Sequence, residues 1–124
     1  MSPYEAFAAA FNDRDLQALG ALLADDAWAE VLGAPFPREV GRDAILSTSF
    51  PYLLEADPPL AARVRTEGER IWLLLCVDGV VDTAIRATVE RERVTSLEYV
   101  VGPHRPDELR RIGRVCDLPT VADA

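Results

Sequence analysis

The stretch RIWLLLCVDGVVDTAIRATVE, residues 70–90, decides the fold. Asp78-Gly79 separates two apolar runs, an arrangement typical of a two-residue β-hairpin turn. A sheet with one face in water alternates apolar and polar residues, but the first arm of this hairpin does not. Its two faces carry Ile71, Leu73, Leu75 and Val77 on one side and Trp72, Leu74 and Cys76 on the other. The sequence therefore predicts a sheet that is covered on both sides.

Helical patterns precede the strand patterns along the chain. Ser2, Pro3 and Glu5 form a capping box with proline at the first helical position, and an apolar stripe follows through Phe11. The later segments are a helix capped by Asp13 or Asp15 and closed by Asp25-Asp26, a short strand at 27–32, a helix at 42–50 limited by Pro51, four antiparallel strands at 61–67, 70–78, 81–90 and 94–101, and a helix at 107–113. This order predicts an α+β fold with helices on one face of the sheet.

Composition excludes several functional classes. The chain has 124 residues, 49% of them hydrophobic, and a formal net charge of −8. Because the basic residues do not cluster, we expect no nucleic-acid partner. All 13 basic residues are arginine, which excludes a Schiff-base lysine. Asp25-Asp26 has no supporting ligand cluster, so we expect neither a metal nor a cofactor.

Length and cysteine usage suggest one intracellular domain. We expect a single domain over residues 1–116 and a loose tail over 117–124. Cys76 and Cys116 form no CxxC pair, which favours reduced thiols in a cytoplasmic protein. The N-terminus MSPYEAF has no basic or long apolar region, and no apolar run approaches membrane-spanning length, so we expect neither a signal peptide nor a membrane partner.

Three segments together resemble a known superfamily. They are FAAAFNDRDLQALGALLADDAWAEV at 7–31, GRDAI at 41–45 and the strand meander that follows. The combination resembles the nuclear transport factor 2-like superfamily, and within it the SnoaL-like polyketide cyclase and steroid delta-isomerase branch, over about residues 4 to 113. GRDAI and YVVGPHRPDEL at 99–109 also resemble the C-terminal domain of some extracytoplasmic-function sigma factors. The superfamily includes enzymes, carriers and assembly modules, so the resemblance indicates fold more than function.

The resemblance implies a cone, a cystatin-like α+β barrel. A strongly curved, mostly antiparallel sheet would hold the N-terminal helices on its concave face and leave a largely apolar pocket for a small hydrophobic ligand. The implied lining is Phe7, Phe11, Trp28, Val31, Phe50, Ile71, Leu73, Leu75, Ile85, Leu97, Tyr99 and Val101. The outer face would form a homodimer interface with Trp72, Leu74, Cys76 and Arg86. The alternative is that a C-terminal helix of the same chain covers that face.

The functional positions of the steroid isomerase are apolar in this chain. The tyrosine on the first helix falls on Phe7, the general base on the first strand falls at or near Val31, and the second oxyanion-hole acid falls near Ile85. Proton abstraction needs a base and oxyanion stabilisation needs a donor. These replacements argue against isomerase activity.

Other polar residues remain as candidates. If the first strand is shifted by one residue, Glu30 and Trp28 face the pocket, and a carboxylate beside an indole could act as an acid or base; otherwise Glu30 is a solvated outer residue. Tyr99 is the candidate hydrogen-bond donor or, alternatively, a core tyrosine. Thr83 could line the pocket mouth, and His104 could reach it or simply lie in an exposed turn.

Three functional hypotheses follow. The leading one is a small-molecule-binding domain with Tyr99 as polar anchor. The first alternative is a cyclase- or isomerase-type enzyme in which Glu30 is the acid/base and Tyr99 the donor. The second is a regulatory or dimerisation module that acts through its outer face.

Overall fold

The structure is a computed structural model that describes residues 1–123. Its elements in chain order are α1 (Pro3–Asn12), α2 (Leu16–Leu22), β1 (Leu23–Val31), β2 (Glu39–Val40), α3 (Arg42–Ser47), α4 (Ser49–Leu54), β3 (Ala61–Glu67), β4 (Arg70–Val77), β5 (Val80–Glu90), β6 (Arg93–Val101), α5 (Pro106–Val115) and a 3₁₀ turn (Val121–Asp123). Over the described range, every helix is too short or too polar to cross a membrane.

The first two helices begin at the side chains that cap them. The Ser2 hydroxyl accepts from the Glu5 backbone N–H at 3.2 Å, as the capping-box pattern predicts, and the Glu5 carboxylate accepts from the Ser2 hydroxyl at 3.1 Å. Asp15 caps α2 by accepting from the Ala18 backbone N–H at 3.0 Å. These caps satisfy backbone donors that have no partner within the helix.

Two boundaries differ from the sequence prediction. The first strand begins at Leu23, so Asp25 and Asp26 lie within β1 instead of closing the preceding helix. The predicted helix at 42–50 is divided into α3 and α4, and Pro51 lies in the first turn of α4. Proline is tolerated there because the N–H groups of a first turn have no intrahelical acceptor. Pro51 therefore does not end the helical region.

The predicted α+β fold is confirmed. One six-stranded sheet has the order β2-β1-β6-β5-β4-β3, with an antiparallel meander from β3 to β6 and a parallel pair between β1 and β6. Pairing shifts by one residue after Leu75 and after Thr88, and the pairing of β1 with β6 is irregular between Leu23 and Trp28. Such irregularities bend strands and increase their twist. The sheet is accordingly curled, although it does not close into a barrel.

The hairpin predicted at Asp78-Gly79 forms between β4 and β5. Both residues have positive φ, 51° for Asp78 and 82° for Gly79. This conformation suits the right-handed twist of the flanking strands, and glycine adopts it without steric cost. The turn pairs Val77 with Val80.

The concave face of the sheet carries the larger core. Helix α1 packs against it through Phe7 and Phe11, each 1% exposed, and α2 adds Leu19. These side chains meet the inward residues of β4, β5 and β6 in one cluster. The helices therefore cover the concave side, as the resemblance implies.

Helix α5 covers the convex face of the same chain. Its residues Leu109 and Ile112 are fully buried against Trp72 and Leu74, which are themselves 0% exposed. Cys76, at 2% exposure, lies in the same cluster. The prediction that Trp72, Leu74 and Cys76 face a second subunit is therefore wrong, because α5 already removes them from water. The alternative of a covering C-terminal helix is the observed one.

A polar contact fastens α5 to the edge of the sheet. Glu67 at the end of β3 accepts from the Trp72 indole at 3.1 Å and from Arg111 of α5 at 2.8 Å. The hydrogen bond from Trp72, followed by that from Arg111, lowers the pKa of the Glu67 carboxyl below its ordinary value. The ionised form of Glu67 thus supports the docking of α5.

Replacing Glu67 by glutamine is expected to make the protein less stable at neutral pH. Because the folded pKa lies below the ordinary value of 4.5, the stabilising contribution of Glu67 is present above pH 4.5 and lost as the pH falls through the folded pKa. The urea midpoint of Glu67→Gln should therefore lie below that of the parent at pH 7 and approach it in acid. Glu69→Gln, at an exposed neighbour, is the control and should match the parent at both pH values. A constant difference across pH would contradict this account.

The segment after α5, where the sequence predicts a loose tail over 117–124, contacts β5 through Pro119 and Thr120. The Val81 backbone N–H donates to the Pro119 carbonyl at 2.8 Å, and Thr120 forms a parallel bridge with Val81. Gly113 permits this close approach, since a Cβ there would overlap the Thr120 side chain. The segment therefore adds a backbone connection between α5 and β5; Ala124 lies outside the described residues.

Candidate functional site

The register of β1 decides which of its residues face the concave side. Ala29 pairs with Leu97 and Val31 pairs with Tyr99, so these β1 residues point inward with their partners. Glu30 pairs with Glu98 and lies on the convex face. The shifted register that would bring Glu30 and Trp28 into the pocket is therefore wrong.

The surroundings of Glu30 and Trp28 agree with this register. The Glu30 carboxylate forms an ion pair with Arg38 at 3.4 Å, and the Arg38 guanidinium lies 3.7 Å from the centre of the Trp28 ring. This stacked arrangement is a cation–π contact on the outside of the sheet. The predicted catalytic role of Glu30 and the predicted ligand contact of Trp28 both require the concave face and are therefore wrong.

Most of the predicted lining lies together on the concave side. The buried members are Phe7, Phe11, Phe50, Leu73, Leu75, Ile85, Leu97 and Tyr99, and the half-buried Val31 and Val101 pack against them. Ile71 has the inward parity but lies outside this cluster, near the end of β4. The sequence thus predicted the identity of the concave surface well, apart from Trp28 and Ile71.

The concave surface is closed in this conformation. Its buried members are between 0% and 4% exposed and form one packed cluster. Two depressions of the described surface, of about 350 and about 390 Å³, lie instead beside Asp25 and α3 and beside Tyr52 and Glu55. The predicted open apolar pocket is therefore not confirmed.

Helix α4 contributes the side chain that closes one part of this surface. Phe50 is 1% exposed, and its ring meets the Phe7 ring edge to face with centroids 5.7 Å apart. Phe50 is the only buried residue of α4, and Tyr52 on the same helix is 79% exposed. A single aromatic side chain thus anchors α4 deeply in the core.

Two hydroxyl groups meet beside this aromatic pair. Tyr99 Oη and Ser49 Oγ lie 3.2 Å apart and share a hydrogen bond in which either can donate. Burial raises the pKa of the Tyr99 phenol well above its ordinary value, so the phenol stays protonated at neutral pH. Tyr99 is therefore available as a hydrogen-bond donor on the concave side, the chemistry predicted for it from sequence.

Glu39 is the polar residue that sequence reasoning missed. It lies on β2 opposite Ala29 and therefore has the inward parity. Its Oε1 atom is buried, with less than 1 Å² exposed, and has no hydrogen-bond partner among residues 1–123. Burial raises the pKa of the Glu39 carboxyl, and the nearby Ser49 hydroxyl partly opposes that shift.

We name Glu39, Ser49 and Tyr99 the polar trio. Glu39 lies opposite Ala29 and Tyr99 lies opposite Val31, so the carboxylate and the phenol face the same side of the sheet from the two strands that flank β1, and Tyr99 contacts Ser49. The trio combines an acceptor-only carboxylate with two groups that can both donate and accept. Such a set can bind a polar group of a small molecule or transfer a proton to it.

The remaining candidates lie elsewhere. Thr83 is buried with inward parity, and its hydroxyl donates to Asp82 at 2.8 Å. The half-buried His104 meets the exposed Phe36 edge to face, with ring centroids 5.8 Å apart.

Arg86 pairs with Glu98 at 3.0 Å on the convex face, as its parity predicted. Among the described residues, no group of three or more His, Cys, Asp or Glu side chains is arranged to hold a metal ion.

Comparison with solved structures shows that the chain shares its fold with NTF2-like proteins. An NTF2-like protein of unknown function from Cytophaga hutchinsonii matches with a TM-score of 0.59 and 15% identity, over 82% of this chain and 88% of that one. A candidate polyketide cyclase from Xanthomonas campestris matches with a TM-score of 0.57 and 18% identity, over 91% and 93%. An LEH-like epoxide hydrolase from M. tuberculosis matches with a TM-score of 0.53 and 18% identity, over 80% and 75%.

Comparison at the level of sequence gives no match. No protein-family model and no curated protein matches the chain. At identities of 15–21%, the structural likeness establishes the fold and not the activity. The chain has the NTF2-like α+β fold, and its function has to be argued from its own residues.

Proposed function

We propose that this NTF2-like domain binds a small, largely apolar molecule on its concave face, next to the polar trio. In the conformation described above, α4 closes this site. The observation that carries the proposal is the unpartnered Glu39 Oε1, buried beside the Ser49–Tyr99 pair. A buried polar group without a hydrogen-bond partner destabilises the protein. A ligand that donates a hydrogen bond to this atom would remove that cost.

The apolar surroundings of the trio support the same reading. Ligand sites combine a mostly apolar lining with a few convergent polar groups. Phe7 and Phe50 supply aromatic surface, and Ser49 directly precedes Phe50 in the chain. Displacement of the Phe50 side chain from Phe7 would therefore uncover aromatic surface beside Ser49 and Tyr99, with Ser49 still in place.

The cost of opening is modest because α4 has one deeply buried anchor. Exposing a fully buried phenylalanine costs about 1.5–3 kcal/mol. A ligand that replaces the Phe50 ring against Phe7 recovers this energy by burying its own apolar surface. Opening thus needs no disruption of the sheet.

A thermal-shift screen of small aromatic and alicyclic compounds tests the proposal. A true ligand should raise the melting temperature in a saturable, concentration-dependent manner. Tyr99→Phe and Ser49→Ala, which each remove one hydroxyl, should weaken that ligand by about 5- to 10-fold. Thr95→Ala removes a hydroxyl from a strand position outside the trio and is the control. Equal affinity in all variants would place the ligand elsewhere.

An acid/base enzyme is the second candidate, and it now rests on Glu39. Glu30 lies on the wrong face, whereas Glu39 has a raised pKa and lies near Tyr99. A pH–rate profile that loses its acidic limb in Glu39→Gln would support catalysis. Turnover that survives this substitution would argue for another base.

A homodimer and a cytoplasmic location remain proposals. With α5 on the convex face, a dimer would have to use other surfaces, for example the rim near Arg86. The free, buried thiols of Cys76 and Cys116 fit a reducing compartment. Light scattering of the purified chain tests the dimer directly.

A further inference from the structure

The charge of Glu39 is not balanced by any ion pair of the described chain. The carboxylates that pair with arginine are Asp25, Glu30, Glu67, Glu98, Asp107 and Glu108. The nearest arginine in sequence, Arg38, is directed to the convex face, where it contacts Glu30 and Trp28. Glu39 thus presents an uncompensated carboxylate to the concave side.

The hydrogen-bonding needs of the trio point in the same direction. A carboxylate accepts and never donates, so Oε1 requires a donor. The Ser49–Tyr99 contact uses one hydroxyl proton, and Ser49 also hydrogen-bonds with the Glu39 carboxylate, yet Oε1 has no partner among residues 1–123 and both hydroxyl oxygens retain lone pairs for a further donor. The three groups therefore offer acceptors that converge on one place.

We propose that the site takes a small apolar amine, whose ammonium group donates to Glu39 and to the hydroxyls of Ser49 and Tyr99. This inference rests on the proposed function, because it names the ligand class of the same site. Charge-assisted hydrogen bonds are stronger than neutral ones, and an ammonium also neutralises the desolvated carboxylate. The apolar body of the amine occupies the place of the Phe50 ring against Phe7.

Three probes of nearly equal shape test the ligand class: benzylamine, benzyl alcohol and toluene. Their affinities for the full chain are measured by thermal shift and by titration calorimetry at pH 7, where the amine is protonated. Benzylamine is expected to bind about 10-fold more tightly than benzyl alcohol, and toluene more weakly than either. Equal affinity for amine and alcohol would overturn the inference and leave the proposed function standing. Failure of all three probes to bind would overturn both.

Two matched variants separate the site from the general acidity of the protein. Glu39→Gln should abolish the 10-fold preference for the amine while it still binds benzyl alcohol. Glu30→Gln removes the same charge from the convex face and should keep the full preference. Loss of the preference in both variants would show attraction to the net charge of −8 and would overturn the assignment to Glu39. Circular dichroism of each variant confirms that it is folded.

Discussion

Phe50→Ala is expected to lower the free energy of unfolding by about 3–5 kcal/mol, the range for truncating a buried phenylalanine. The ring is 1% exposed and packs on Phe7, so its removal loses apolar burial and leaves a cavity. The cavity would lie beside the polar trio, inside the concave core. Benzene or toluene should enter it and recover part of the lost stability, because dry apolar cavities of this size bind such molecules.

Urea denaturation with and without saturating toluene measures both effects. Tyr52→Ala is the matched control, because it removes an aromatic ring from the same helix at a position that is 79% exposed; its change should stay within about 0.5 kcal/mol. Phe50→Leu provides a milder variant if the alanine variant does not fold. A loss below about 1 kcal/mol for Phe50→Ala would show that α4 does not close the core in solution.

Trp72→Ala is expected to cost a similar amount, about 3–5 kcal/mol, without a change in oligomeric state. Trp72 is 0% exposed beneath α5 and donates its indole N–H to Glu67. The substitution removes the largest side chain of the convex cluster and the hydrogen bond that helps hold α5. Its effect is internal to one chain.

Chemical denaturation together with light scattering distinguishes this account from a dimer interface. Trp28→Ala is the control, since it removes an indole from the same convex face at a half-buried position and should cost about 1 kcal/mol or less. Trp72→Phe keeps most of the packing and is the variant to measure if Trp72→Ala does not fold. A parent dimer that becomes a monomer on substitution of Trp72 would contradict the covering role of α5.

The fold was predictable because its strongest signals are local. The Asp78-Gly79 turn and the two apolar faces of residues 71–77 are sufficient to predict a hairpin covered on both sides. The identity of the cover was harder to decide. Leu109 and Ile112 of α5 recur at helical spacing with Cys116 just after the helix and indicate an apolar face, but a second subunit would cover the same strand residues equally well.

The site was less predictable because it depends on pairing between distant segments. Glu39 lies between Pro37 and Gly41 in a stretch that reads as a loop, and a two-residue strand is too short to show a period. Only its pairing with Ala29 turns the carboxylate inward. The face of Glu30 could not be decided from the sequence for a related reason, because a one-residue change of register exchanges the two faces of a strand.

The parallel contact between β1 and β6 has a consequence for how this protein is made. β1 ends at residue 31 and pairs with β6 at Leu23 and at residues 28–31, so these pairs can form only after β6 has been synthesised. Contacts between such distant segments require large loops to close and slow the search for the native state. The N-terminal quarter of the chain, with its exposed leucines and phenylalanines, is then the part that most needs a chaperone during translation.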